Sequence, residues 1–268
     1  MTLVTALTGA LALVIYLVAT CMQVAGLARR EPASRPLLLM LTAAAAIVHG
    51  IAVSGLLVTP EGLNLGLFRV ATLVALTSVL LILALAISRP IENLFVVILP
   101  LAIVTLAAAL LLDTGFQPIA APDVGFSLHV ILAILAYAVL AMAVCQALVT
   151  GWQEQRLRKH RAALILGNLP PLQTMERVLF ELLWVGLALL TLTIASGLYF
   201  LEDIFEQRVV HHTVLSMSSW VVFAILLWGR YRLGWRGQTA IRWTLAGFAL
   251  LLLAYFGSKL VIEIILGA

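Results

Sequence analysis

Residues 126–150 read FSLHVILAILAYAVLAMAVCQALVT, with no charged side chain unless His129 is protonated. As an α-helix this stretch is about 37 Å long at 1.5 Å per residue, enough to cross a hydrocarbon layer of about 30 Å. Immediately beyond it the chain turns basic, with Arg156, Arg158, Lys159 and Arg161 between Gln153 and Arg161. A long apolar run closed by a cation cluster predicts a membrane span whose basic end stays in the cytosol.

The same criterion applied outward finds eight stretches: 3–27, 37–58, 67–87, 94–112, 126–150, 178–201, 214–228 with its flanks, and 241–266. The seventh is the shortest. Composition agrees, since 63% of the 268 residues are apolar and 10% charged, against about 25% charged in soluble domains. So much apolar surface has no place in one water-soluble core. The expected fold is all-α, a polytopic membrane helix bundle of eight transmembrane helices in one transmembrane domain, residues 1–268. The first run has no basic stretch before it and exceeds a signal-peptide core, so it predicts a retained helix.

Orientation follows from the cations. Thirteen of the 16 Lys and Arg fall in alternate loops: Arg29, Arg30 and Arg35; Arg89; Arg156 to Arg177; and Arg230 to Arg242. Arg69, Arg208 and Lys259 lie towards the other side. Cytoplasmic loops retain positive charge, which places both termini outside. Trp152, Trp228, Trp235 and Trp243 then mark the inner boundary, where indole rings settle. The net charge of +4 is thus topological, and no nucleic-acid partner is expected. The inner loop 151–176 predicts a short surface helix over 153–161 and a turn at Leu169-Pro170-Pro171. Pro100, inside the fourth span, predicts a kink or the first turns of that helix. The chain's two cysteines, Cys21 and Cys145, form no Cys-x-x-Cys pair and read as buried packing.

Ionisable groups within a membrane need a reason to be there. His49 lies about 13 Å inside the second span, taking nine residues at 1.5 Å each. His129 stands near the outer end of the fifth span, and His211 and His212 precede the seventh. His160 belongs to the cytoplasmic basic loop. Imidazole ligates haem iron, and two rings suit the two faces of the macrocycle. His129 with His211 or His212 would hold a haem at the outer surface; His49 with His129 would hold one buried in the bundle. Arg69 offers a forked partner for a propionate, and Lys259 a second cation. Each has a plainer role: His49 as an interhelical hydrogen bond, Arg69 as a snorkelling side chain, Lys259 paired with Glu263 one turn on.

Short motifs over 126–257 point further. They are His129 with Ile134-Leu135-Ala136-Tyr137; Leu190-Thr191-Leu192-Thr193 with Ser196-Gly197; Ser219-Trp220; Gly234-Trp235-Arg236-Gly237; and Gly247-Phe248 with Tyr255-Phe256-Gly257. In this order they resemble the cytochrome c assembly family, the haem-handling membrane proteins of the CcsA, CcmC and HemX type. The run from Leu169 to Glu176 is most similar to the small YpjD-type inner-membrane proteins. The resemblance implies that His129 is the family's outer-face haem-ligating histidine, and that Gly234–Gly237 is a structural cytoplasmic turn. Two family marks are absent. The outer segment from Leu201 to His212 has no tryptophan, and no histidine follows the Tyr-x-Gly pattern of the last helix. Transfer of haem to apocytochrome c is therefore not expected.

The expectation is a haem-binding integral protein of the bacterial inner membrane, related to cytochrome c biogenesis or haem handling. Its cofactor would be haem b and its other partners the lipid bilayer and further inner-membrane proteins. The alternative is a non-catalytic membrane partner or regulator that keeps the fold without haem transfer. No nucleophile–base pair, phosphate loop or metal motif suggests an enzyme. A transporter would want acidic pairs at mid-membrane and interrupted helices in symmetric halves.

Overall fold

Eight helices long and apolar enough to span a bilayer run through the computed structural model, which describes residues 2–29, 34–89, 91–112, 118–120, 122–158, 171–200 and 207–265. They are α1 (Leu3–Arg29), α2 (Arg35–Leu57), α3 (Leu67–Ser88), α4 (Phe95–Leu111), α5 (Val124–Arg158), α6 (Leu172–Phe200), α7 (Gln207–Leu233) and α8 (Gln238–Leu252). Beyond α8 the helix continues through two wide-wound segments of π geometry, Leu253–Gly257 and Val261–Ile265.

The chain divides into two compact units. One comprises Met1–Ala121 and Arg156–Pro170; the other comprises Pro122–Gln155 and Pro171–Ala268. Each helix has the two faces a bilayer demands. On α1, Ala12, Tyr16 and Ala19 are fully buried, while Leu3, Leu7, Leu11, Val14 and Val18 are exposed. Spacings of three and four residues put each set on its own side, and the exposed apolar side meets lipid. Cys145 is buried as expected. Cys21 is not: it lies on an exposed face of α1, where lipid accepts a thiol as readily as a core does.

Several boundaries differ from the sequence pattern. The basic stretch after the fifth span forms no separate surface helix through Arg158, because α5 continues unbroken into it. Gln153, Glu154, Gln155 and Arg156 are good helix formers with no proline among them, so hydrogen bonding outlasts the apolar run. Residues 159–170 lie outside the described set. The shortest span becomes the 27-residue α7, which takes in Gln207 to His212 at one end and Arg230 to Leu233 at the other. Pro171 starts α6 by accepting from the N–H groups of Thr174 and Met175. Pro100 sits inside α4, early in a helix that continues past it.

The pattern also hides a two-residue hairpin. Val58–Thr59 pairs antiparallel with Gly62–Leu63, and Leu63 pairs again with Ile119. Pro60 and Glu61 turn the chain, and Gly62 takes a φ of 136° that favours glycine. In the first unit, the side chain of Gln23 donates to the Glu92 carbonyl at 2.8 Å, and Arg35 pairs with the Glu92 carboxylate at 2.5 Å. Arg35 also donates to the carbonyl of Ala86 at 2.6 Å. These contacts tie α1, α2 and the end of α3 to the turn that starts α4.

One end of the second unit is closed by the Gly234–Gly237 turn. Glu176, on α6, accepts from the backbone N–H of Gly237 at 2.8 Å, and Glu154, on α5, accepts from the Gln238 side chain at 2.9 Å. Two carboxylates thus cap the positive end of α8. Arg230 lies 4.5 Å from the centroid of Phe180 and donates to the Trp235 carbonyl at 3.1 Å. Gly237 itself adopts φ 56° and ψ −133°. An added Cβ there would meet only the Glu154 carboxylate, at 3.5 Å, so the obstacle is conformational. Gly237→Ala is expected to lower stability by about 1–3 kcal/mol, read as a fall in the thermal midpoint in detergent. An unchanged midpoint would show that the turn adopts another conformation.

With eight spans the two termini share one side of the membrane. Phosphatase and fluorescent reporters fused near Arg156 and at the C-terminus test which. The cation distribution predicts a cytosolic Arg156 and an external C-terminus; the reverse pattern would overturn that orientation.

Candidate functional site

Histidines occupy both units. In the first, His49 is completely buried on α2. Its Nδ1 faces the Tyr16 hydroxyl of α1 at 3.3 Å, and its Nε2 faces the Thr72 hydroxyl of α3 at 2.8 Å. Tyr16 also packs edge-on against the ring, with centroids 5.7 Å apart. Either tautomer uses both nitrogens, so in this arrangement His49 joins three helices and keeps no lone pair for iron. Arg69 belongs to the same unit, in the first turn of α3.

The second unit holds His129 near the start of α5 and His212 in the second turn of α7. Both are half-buried, near the starts of their helices in the same compact unit. Nδ1 of His129 lies 3.1 Å from the Ser196 hydroxyl on α6. No hydrogen bond engages its Nε2 among the described residues. The His212 ring meets Tyr255 edge-on, with centroids 6.2 Å apart. The neighbouring His211 is helical, but its side chain lies outside the described set, as does the segment 201–206.

An aromatic cluster backs His212. Tyr137 of α5 meets Tyr255 at 6.4 Å and Phe256 at 5.8 Å, both edge-on. Its hydroxyl donates to the Leu251 carbonyl at 2.6 Å, so its polar end is satisfied within the bundle. Tyr255 and Phe256 are adjacent in sequence, yet both face Tyr137. The π winding of Leu253–Gly257 widens the turn and narrows the angle between neighbouring side chains. Just beyond, Lys259 Nζ stands 6.0 Å from the Tyr255 centroid and 3.0 Å from the Glu263 carboxylate. That pair is the one expected from their spacing on one helix face.

The remaining motif residues pair with one another. The Trp220 indole N–H donates to the Thr191 hydroxyl at 2.8 Å, joining α7 to α6. The Ser219 hydroxyl donates to the Gly247 carbonyl at 2.8 Å, joining α7 to α8. Gly247 is small because the Phe223 ring lies against it. In the sequence Ser196 and Tyr255 stand only as letters of longer motifs. The signal that singles them out is a polar or aromatic residue near the end of a span.

Comparison with known proteins covers both units. The family model described as cytochrome C assembly protein matches residues 37–266. Inner membrane protein YpjD of Escherichia coli K12 is 31% identical over 257 residues, covering 95% of this chain and 97% of that protein. A 28.8 kDa protein from the nifR3-like 5′ region of Azospirillum brasilense is 34% identical over 68% of this chain and 69% of its own. Protein HemX of Brevibacillus brevis is 24% identical over 48% of each chain. No solved structure matches. With eight spans and a family match running from α2 into the last helix, this chain is a multi-pass inner-membrane protein that belongs to the cytochrome c assembly protein family.

Proposed function

We propose that the second unit binds haem b between His129 and His212, and that the protein serves cytochrome c biogenesis or haem supply through that site. The observation carrying this reading is the pair itself: two half-buried imidazoles near the starts of α5 and α7 in one compact unit, one held by Ser196 and the other against Tyr255. A bare metal ion asks for three or four protein ligands. Among the described residues no group of three or more His, Cys, Asp or Glu is placed to hold one. Haem brings four nitrogens of its own and needs only one or two more, which a histidine pair provides.

The surroundings fit the macrocycle. Tyr255 lies against His212, and Tyr137 and Phe256 pack around Tyr255, an apolar aromatic setting. Lys259 offers a cation for a propionate, already steadied by Glu263. Bound haem would supply a redox-active iron; the chain would supply its ligands, orientation and exclusion of water.

An absorption spectrum of the full-length protein, solubilised from haem-replete cells and recorded oxidised and dithionite-reduced, tests the proposal. A Soret band with resolved reduced bands is the expected result. Its absence after gentle purification and haem addition would favour the second reading: a membrane partner or regulator that keeps the fold without the cofactor. That alternative draws support from the lack of tryptophan between Leu201 and His212.

A further inference from the structure

Ser196 meets His129 through a hydroxyl that has a second partner. Its hydroxyl donates to the backbone carbonyl of Thr193, 2.9 Å away and one turn earlier on α6. A hydroxyl has a single hydrogen. With that hydrogen committed to Thr193, the 3.1 Å contact with His129 runs the other way, with Nδ1–H donating to the Ser196 oxygen. A neutral imidazole has one N–H. With Nδ1 protonated, the lone pair sits on Nε2, the nitrogen left without a hydrogen bond among the described residues.

We propose that Ser196 is a positioning residue for His129, holding it in the tautomer that coordinates iron through Nε2 and making that lone pair more basic. The proposal rests on the haem reading above and adds to it the residue that prepares the ligand. Ser196 is only 8% exposed, so water has little access to replace it as acceptor. Serine often bonds back to its own helix without further purpose. Back-bonding alone, however, does not require an imidazole N–H from another helix. Partners of this kind orient metal-ligating histidines and raise their basicity.

The test compares purified full-length proteins carrying Ser196→Ala, Ser196→Thr and, as a control, Thr191→Val, which removes a different interhelical acceptor from the same helix. Haem affinity is read by transfer to apomyoglobin and the reduction potential by spectroelectrochemical titration. Ser196→Ala is expected to weaken haem binding about ten- to a hundredfold. It should also raise the potential, because a less basic imidazole favours ferric iron less. Ser196→Thr should restore both, and Thr191→Val should move neither. Wild-type affinity and potential in Ser196→Ala would overturn the proposal while leaving haem binding intact. A wild-type protein that takes up no haem would overturn the underlying reading, and this one with it.

Discussion

Replacing His129 with alanine is expected to abolish or severely deplete the Soret absorption while the helical content and thermal midpoint stay near wild type. The asymmetry follows from its place in the bundle. His129 is half-buried near one end of α5, and its side-chain hydrogen-bond partner among the described residues is a hydroxyl that keeps a second bond to Thr193. Removal leaves Ser196 without its donor but not without a partner, and interhelical hydrogen bonds in membranes average only about 0.6 kcal/mol. Stability is therefore expected to move little. For a bound haem the loss would be a ligand with an oriented lone pair, with no other donor among the described residues prepared in the same way. His212→Ala should give a milder phenotype: a five-coordinate, high-spin haem retained by His129 and the aromatic cluster of Tyr137, Tyr255 and Phe256. If His211→Ala produces that spectrum and His212→Ala does not, the second ligand moves by one residue. Full absorption in His129→Ala would exclude the site altogether.

How far the sequence exposes this arrangement depends on the range of the interaction concerned. Spans are legible because lipid imposes a one-dimensional rule, about 20 apolar residues per crossing. Their ends are less so, since hydrogen bonding obeys helix propensity and not lipid. Glu154 and Arg156 carry α5 beyond its apolar run, and Gln207 to His212 extend α7 the other way. The Val58–Leu63 hairpin is too short for any alternation to show. Lys259 and Glu263 are legible because their pairing is local, one turn apart. His129 stands out alone, as a titratable group where lipid should be. Its partner Ser196 lies 67 positions away, and no pattern along the chain announces a hydroxyl across a helix interface. The same limit kept the motif from Leu169 to Glu176 separate from the Gly234–Gly237 turn. In the structure Glu176 of the first caps Gly237 of the second.

His49 provides the opposite prediction. His49→Ala should cost about 2–4 kcal/mol of stability and leave haem absorption unchanged. Its two hydrogen bonds, at 3.3 and 2.8 Å, account for the smaller part. The larger part is what remains behind: a cavity among completely buried side chains and two hydroxyls, Tyr16 and Thr72, turned toward it with no water to receive them. His49→Leu separates these contributions, since it refills most of the volume but still orphans both hydroxyls; its loss should be intermediate. Thermal denaturation of the detergent-solubilised variants, followed by circular dichroism, gives the ranking. The spectrum gives the functional half, because the sequence alone also allowed a buried haem between His49 and His129. If His49→Leu folds stably yet loses the Soret band, His49 is a ligand after all, and the contacts with Tyr16 and Thr72 describe a different state of the protein. If absorption persists while the midpoint falls, the two imidazoles have separate roles: His49 joins three helices of the first unit, and His129 presents a lone pair in the second.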